Sequence, residues 1–260
     1  MMKKIIAIFC ALCLLAGITG LACADSIQGQ AMPDFTVELT DGTTVTLSDL
    51  LSAKEVVVLN IFTTWCGPCR AEFPEMEAVY QQYKDKMEIV AVSEDPGDDM
   101  EALRQYKEEM GLSFLVGQAG TDITGNIEIP GYPTTLIIDR NGQVAHYELG
   151  AFASGKAFEQ IVTTLMGDDY TGKQLWLYTI YIADQNMELV PNANVQCCTD
   201  TMCQLLNTGD DGFVFMVAEE PVEYHIKLLS VPDGYTIYAD NEVVTNPESG
   251  RYQLKAYKQN

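Results

Sequence analysis

Hydrophobic and polar positions follow one pattern up to about residue 167 and a different one after about residue 174. In the first part, apolar runs of strand length alternate with stretches of helical period. Residues 35–39 and 43–47 predict two strands joined at Asp41-Gly42, a hairpin-turn dipeptide. A short helix is expected from Ser48. Val56–Phe62 is a continuous apolar run of β-branched character, as expected of a strand covered on both faces. A helix from Cys69 to about Lys84 follows it, and Pro74 inside that helix should kink it. Met87–Ser93 predicts the next strand, and Asp98 the cap of a helix that runs to Met110 and stops at Gly111. Residues 113–116, 134–139 and 143–149 read as strands, the last two flanking Asn141-Gly142, and residues 154–166 as a closing helix. Alternation of this kind predicts helices on both faces of a mixed sheet. Its parallel pairs come from the crossovers and an antiparallel pair from the second hairpin.

Residues 168–173 read as a linker. Beyond them, strand-like runs at 175–183, 194–198, 212–217, 222–229 and 252–257 are separated by turn clusters, with no helical period. That predicts a small all-β sandwich over residues 174–260. The N-terminus has a different character: Lys3 and Lys4, an apolar stretch at 5–15, and the small-residue site Ala22-Cys23-Ala24. Residues 1–24 are therefore expected to be a signal peptide, which leaves 25–167 as the first domain and places the protein outside the cytosol, in the cell envelope. Gly17 and Gly20 interrupt the apolar run and disfavour a permanent span. A second reading makes Cys23 a lipid-bearing N-terminus, although Gly20 stands where bacterial lipoproteins carry Leu.

Charge narrows the partners. With 37 acids against 15 bases the net charge is −22, which excludes nucleic acid as a ligand and disfavours anionic lipid. The acids are expected to form a solvated surface. Cleavage after Ala24 would remove Cys10, Cys13 and Cys23 and leave Cys66, Cys69, Cys197, Cys198 and Cys203. Disulfides persist outside the cytosol, and an odd count leaves one thiol over. Cys198 and Cys203 are expected to close a small structural disulfide, with Cys197 free; the alternative is that this cluster exchanges with Cys66.

Chemistry concentrates in Trp65-Cys66-Gly67-Pro68-Cys69, which joins the Val56–Phe62 strand to the next helix. A Cys-x-x-Cys pair between strand and helix is the redox context. Backbone N–H groups at the helix start favour a thiolate on Cys66; a thioredoxin-like thiol at roughly 7 is about half ionised at neutral pH. A zinc half-site would need a second Cys or His pair at ligand spacing, and the chain has none, so neither metal nor cofactor is expected. The remaining alternative is an inert structural disulfide. His146 and His225 fall in separate domains, and neither stands with a Cys or an acid in a visible motif, so no thiol-protease dyad is expected.

The segment 28–166 resembles the TlpA/ResA-type thioredoxin-like disulfide reductases of the AhpC/TSA-Redoxin superfamily. The resemblance is carried by Met32-Pro33-Asp34-Phe35, Val58-Leu59-Asn60-Ile61-Phe62, the stretch from Trp65 to Pro74, and Gly131-Tyr132-Pro133-Thr134-Thr135. It implies an α/β thioredoxin fold in which Pro133 is cis beside the active-site sulfurs. It also implies that Tyr132 and Thr134 present a backbone edge to an extended substrate. Trp65 is expected to pack beside the disulfide, with Gly67 and Pro68 shaping the turn. Asn60 replaces the buried acid of thioredoxin, so another group must take the proton of the resolving thiol: Glu72, Glu94, Asp95 or water. Arg70 is expected to face solvent or to hold the thiolate by charge. Leu59 stands where related peroxidases carry a proline, which argues against a peroxidase. Through Val190-Pro191-Asn192-Ala193-Asn194-Val195-Gln196, Thr208-Gly209-Asp210-Asp211-Gly212 and Val231-Pro232-Asp233-Gly234-Tyr235, residues 174–257 resemble the Cna protein B-type, prealbumin-like β-sandwiches of bacterial surface proteins.

The expected activity is reduction of protein disulfides by the Cys66/Cys69 dithiol, recharged by a membrane thiol donor. Two alternatives stay open: a disulfide oxidase or isomerase using the same pair, or a surface binding module carried on a passive thioredoxin-like scaffold.

Overall fold

The protein was analysed as a computed structural model, which describes residues 27–239, 241–246 and 250–259. The expected signal peptide and the lipid-anchor position Cys23 lie outside the described residues. The first part contains strands β1 (Thr36–Leu39), β2 (Thr44–Thr46), β3 (Val56–Phe62), β4 (Met87–Ser93), β5 (Leu115–Gln118), β6 (Thr134–Ile138) and β7 (Val144–Leu149). Its helices are α1 (Leu47–Ala53), α2 (Gly67–Tyr83), α3 (Met100–Met110), α4 (Thr121–Thr124) and α5 (Gly155–Leu165). The strands form one seven-stranded sheet in the order β2-β1-β5-β4-β3-β6-β7.

β3 lies inside the sheet, parallel to β4 and antiparallel to β6. Its residues are buried throughout because both faces are covered. Alternation along the strand sends Val56, Val58 and Phe62 into the cluster beneath α2 and α5, and Val57, Leu59 and Ile61 into the cluster on the opposite face. By the same parity Asn60 faces α2. A β3-α2-β4 crossover followed by β6-β7-α5 around a mixed sheet is the thioredoxin fold.

The all-β part contains β8 (Trp176–Ala183), β9 (Asn194–Cys198), β10 (Cys203–Asn207), β11 (Phe213–Ala218), β12 (His225–Ser230), β13 (Tyr235–Ile237), β14 (Glu242–Val244) and β15 (Arg251–Lys258). They make two four-stranded sheets, β10-β9-β12-β14 and β11-β8-β15-β13, which share one core. Ile180 and Leu254 reach that core from one sheet, Val195 and Ile226 from the other. The two parts of the molecule are joined by apolar contact as well as by the chain. Leu175 is buried in the α2–α5 cluster, and Leu177, Phe215 and Val217 pack against it.

Two local expectations need correction. The cap of α3 is Asp99, whose side chain accepts the Ala102 N–H at 2.9 Å; Asp98 is buried instead. β5 begins two residues later than expected, because Ser113 is held outside it by Glu77, which takes its N–H (2.9 Å) and its hydroxyl (2.5 Å).

Candidate active site

β3 ends at Phe62 and α2 begins at Gly67, so the connecting loop is only four residues long. Cys66 is the N-cap of α2, in extended conformation (φ −72°, ψ 110°), and its Sγ accepts the Cys69 N–H at 3.2 Å. Sulfur thus takes the place of the oxygen that usually caps a helix. Pro68 costs nothing here, since it lacks an N–H at a first-turn position where an N–H would have no helical partner. Cys66 and Cys69 form a disulfide, S–S 1.99 Å and Cα–Cα 5.3 Å. Cys69 is wholly buried and Cys66 nearly so, while Trp65, Gly67 and Pro68 are exposed and mark the open side. Asp98 anchors the loop from beneath. It accepts the Thr64 N–H (2.9 Å), the Thr64 hydroxyl (2.5 Å) and the Ser93 hydroxyl (2.6 Å).

Glu72 lies one turn beyond Cys69 on the same face of α2 and is only 5% exposed. Its Oε1 accepts from Asn60 Nδ2 at 2.9 Å, and its Oε2 from the Phe152 N–H at 3.2 Å. Asn60 also donates to Thr135 Oγ1 at 2.9 Å. Burial pushes the carboxyl up to about 7; the two hydrogen bonds oppose that rise, and the charges of Glu148 and Glu75 add to it.

The AhpC/TSA family matches residues 28–147. Thioredoxin-like protein YneN of Bacillus subtilis is 33% identical over 134 residues, covering 51% of this chain and 77% of YneN. The thiol-disulfide oxidoreductase ResA of Bacillus thuringiensis (strain Al Hakam) is 35% identical over 124 residues, 47% of this chain and 69% of ResA. The chain belongs to the AhpC/TSA family, among its ResA-type thiol-disulfide oxidoreductases. A crystal structure of a thioredoxin family thiol:disulfide interchange protein from Chlorobium tepidum TLS is also similar to this oxidoreductase, at 27% identity and a TM-score of 0.46. It covers 54% of this chain and 98% of its own.

Aromatic residues form the rim of the oxidoreductase site. The exposed Trp65 donates its indole N–H to Asp95 at 2.6 Å and meets the Tyr132 ring edge-on, with centroids 5.9 Å apart. Tyr132 donates its hydroxyl to Glu94, and burial together with that carboxylate pushes the phenol up to about 12. The Trp65 N–H, then the Gly97 N–H, hold Asp95 below the usual carboxylate range. Of the acids considered for proton transfer, Glu94 and Asp95 are therefore engaged at the rim, and Glu72 alone is buried. The Tyr132–Pro133 peptide is cis. Thr134 is buried and spends its hydroxyl on the Gly131 carbonyl at 2.8 Å, closing that turn.

The remaining residues singled out in the sequence lie around this centre or in the all-β part. Arg70 turns toward α3, where it pairs with Glu109 at 2.5 Å and lies 5.2 Å from the centroid of the Tyr106 ring. His146 does meet an acid: its Nε2 is 3.1 Å from Glu148 Oε2 and its Nδ1 3.3 Å from the Leu175 carbonyl. The signal was a His-x-Glu spacing, which places both side chains on one face of a strand. His225 lies 3.7 Å from both Glu223 and Glu242. Cys198 and Cys203, opposite each other in β9 and β10, form the second disulfide, and Cys197 is a buried thiol pushed up to about 11 by that burial. Among the described residues no helix is long and apolar enough to cross a membrane, and no group of three or more His, Cys, Asp or Glu is placed to hold a metal ion.

Because Asp98 satisfies three donors under the Cys66 loop, its loss strands them. Asp98→Ala is expected to cost about 2–3 kcal/mol in denaturant unfolding, and Asp98→Asn less. Equal stability of Asp98→Ala and wild type would refute that anchoring.

Proposed function

We propose that this oxidoreductase reduces disulfides of exported proteins outside the cytosol, and the observation that carries the reading is the Cys66–Cys69 disulfide at the N-cap of α2. In the reduced enzyme the Cys66 thiolate attacks a substrate disulfide, forming a mixed disulfide and expelling the first substrate thiolate. Cys69 then gives its proton to Glu72 and attacks Cys66. That step restores the Cys66–Cys69 disulfide and releases the second substrate thiolate. Two electrons pass from enzyme to substrate, and a membrane dithiol donor returns them.

A carboxyl near 7 one helical turn from Cys69 can exchange that proton at neutral pH. Trp65, Gly67 and Pro68 shape the turn, and Pro133, Tyr132 and Thr134 line the docking edge for an extended substrate segment. The Gly-Pro dipeptide is that of thioredoxin, whose potential is roughly −270 mV against about −120 mV for a strong oxidant, and it supports the reducing direction. The basic and apolar N-terminal pattern supports export, with residues 1–24 as signal peptide. Domain limits at 25–167 and 174–260, and a Cna protein B-type character for the second domain, complete the reading.

Cys66→Ser is expected to abolish turnover of disulfide substrates, and Cys69→Ser to accumulate mixed disulfides that mass spectrometry can identify. Turnover by Cys66→Ser would overturn the mechanism, and an equilibrium potential above roughly −180 mV would overturn the reducing direction.

Glu72 also makes stability depend on pH. Its folded value, about 7, lies above its ordinary 4.5, so the cost of ionising it is absent below about pH 4.5 and grows until the pH passes 7. Glu72→Gln removes that cost. Between about pH 5 and pH 8 the oxidised variant should gain about 2–3 kcal/mol relative to wild type in chemical unfolding, and a pH-independent difference would contradict this.

A further inference from the structure

Both parts of the molecule grip the segment at the end of β7. Glu148 Oε1 lies 3.2 Å from Nη2 of Arg251, the first residue of β15, and its Oε2 meets His146. The same Arg251 nitrogen donates to the Ala151 carbonyl at 3.0 Å. Phe152, the next residue, stacks on His146 with centroids 6.2 Å apart and gives its N–H to Glu72. A path of two hydrogen bonds and one covalent step therefore joins Arg251 in the all-β part to the carboxyl one turn from Cys69.

We propose that Arg251 is a positioning residue for Glu72: it clamps residues 148–151 so that the Phe152 N–H stays aimed at that carboxyl, and the all-β part thereby sets proton transfer at the Cys66–Cys69 pair. The proposal rests on the acid–base assignment of Glu72 made above. Both contacts of Arg251 are made by one nitrogen, Nη2, whose two N–H groups are fixed in direction by the guanidinium plane, whereas an ammonium rotates freely on a flexible stem. The titratable groups facing Glu72 are Glu75 from α2 and Glu148 from β7, and Glu148 in turn meets the His146 ring and the Arg251 guanidinium. Arg251 offsets the negative charge of Glu148 and keeps the Phe152 donor in place. Both effects favour ionised Glu72, so losing Arg251 raises the pH at which Glu72 titrates. The Arg251 side chain is 54% exposed, beside a cleft of about 250 Å³ between the two parts, and truncating it leaves no hole in a core.

The test is a carboxyl titration of the full oxidised chain by infrared difference spectroscopy, with the Glu72 band assigned by its loss in Glu72→Gln. Arg251→Ala should raise the Glu72 midpoint by roughly half a pH unit. Arg251→Lys, which keeps the charge and loses the planar, directed Nη2 donor, should fall between that variant and wild type. Asp211→Asn, which breaks a different pair between the two parts (Lys156 Nζ to Asp211 at 3.0 Å), should leave the midpoint unmoved. Wild-type midpoints in both Arg251→Ala and Arg251→Lys would overturn the clamp. So would a wild-type midpoint in Arg251→Lys alone, which would leave charge without positioning. The acid–base assignment fails separately, if Glu72→Gln leaves the pH profile of thiol exchange unchanged while the Arg251 shift in titration persists.

Discussion

The carboxyl of Glu72 is held out of water between three pieces of chain that have little else in common. α2 carries it, Asn60 of β3 hydrogen-bonds one oxygen, and the Phe152 backbone of the β7–α5 connection hydrogen-bonds the other. Burial alone would drive such a group to stay protonated, and two donors bring it back to about 7. Asn60 is therefore more than a missing acid. A second carboxyl there would repel Glu72, whereas an amide stabilises its ionised form. The strand, the helix and the closing loop must all be in register for this balance to hold, so the titration of one side chain reports on the assembly of the whole site.

Order around Cys66 depends on a second set of acids used as acceptors. Asp98 holds Thr64 from inside, and Asp95 holds Trp65 from outside, so consecutive residues of the loop are tied to one turn after β4. Here Asp95 and Glu94 are directed onto the Trp65 N–H and the Tyr132 hydroxyl. Part of the acidic excess of a chain with net charge −22 thus serves as hydrogen-bond acceptors around the Cys66 loop.

What the sequence made legible was local. β3 and β4 announce themselves because both faces are buried and, Asn60 and Glu88 apart, their positions are apolar or small, and the Cys pair is read from its place between a strand and a helix. Asp98 and Asp99 are adjacent and chemically identical, so only geometry tells cap from anchor. β10, β13 and β14 were missed because they are short and largely exposed, and an edge strand of that kind has no apolar alternation to detect. The parallel pairing of β8 with β15, the Phe152 donor to Glu72 and the Arg251–Glu148 contact join residues far apart in the chain. No period or spacing encodes such contacts; they follow from the tertiary fold alone.

The two disulfides show why exchange chemistry belongs to one of them. Attack on a disulfide expels a thiolate, so the reactive pair is the one whose surroundings accept negative charge on sulfur. At Cys66 the end of α2 supplies that acceptance through the Cys69 N–H and the aligned peptide dipoles behind it. Cys198 and Cys203 sit opposite each other in β9 and β10, where strand dipoles alternate and cancel. The neighbouring thiol, Cys197, is held neutral by burial, at about 11, and is a poor nucleophile against its own neighbours. The same element thus ends up as a reagent in one part of the chain and as a staple in the other, and the difference lies in whether a helix begins at the sulfur.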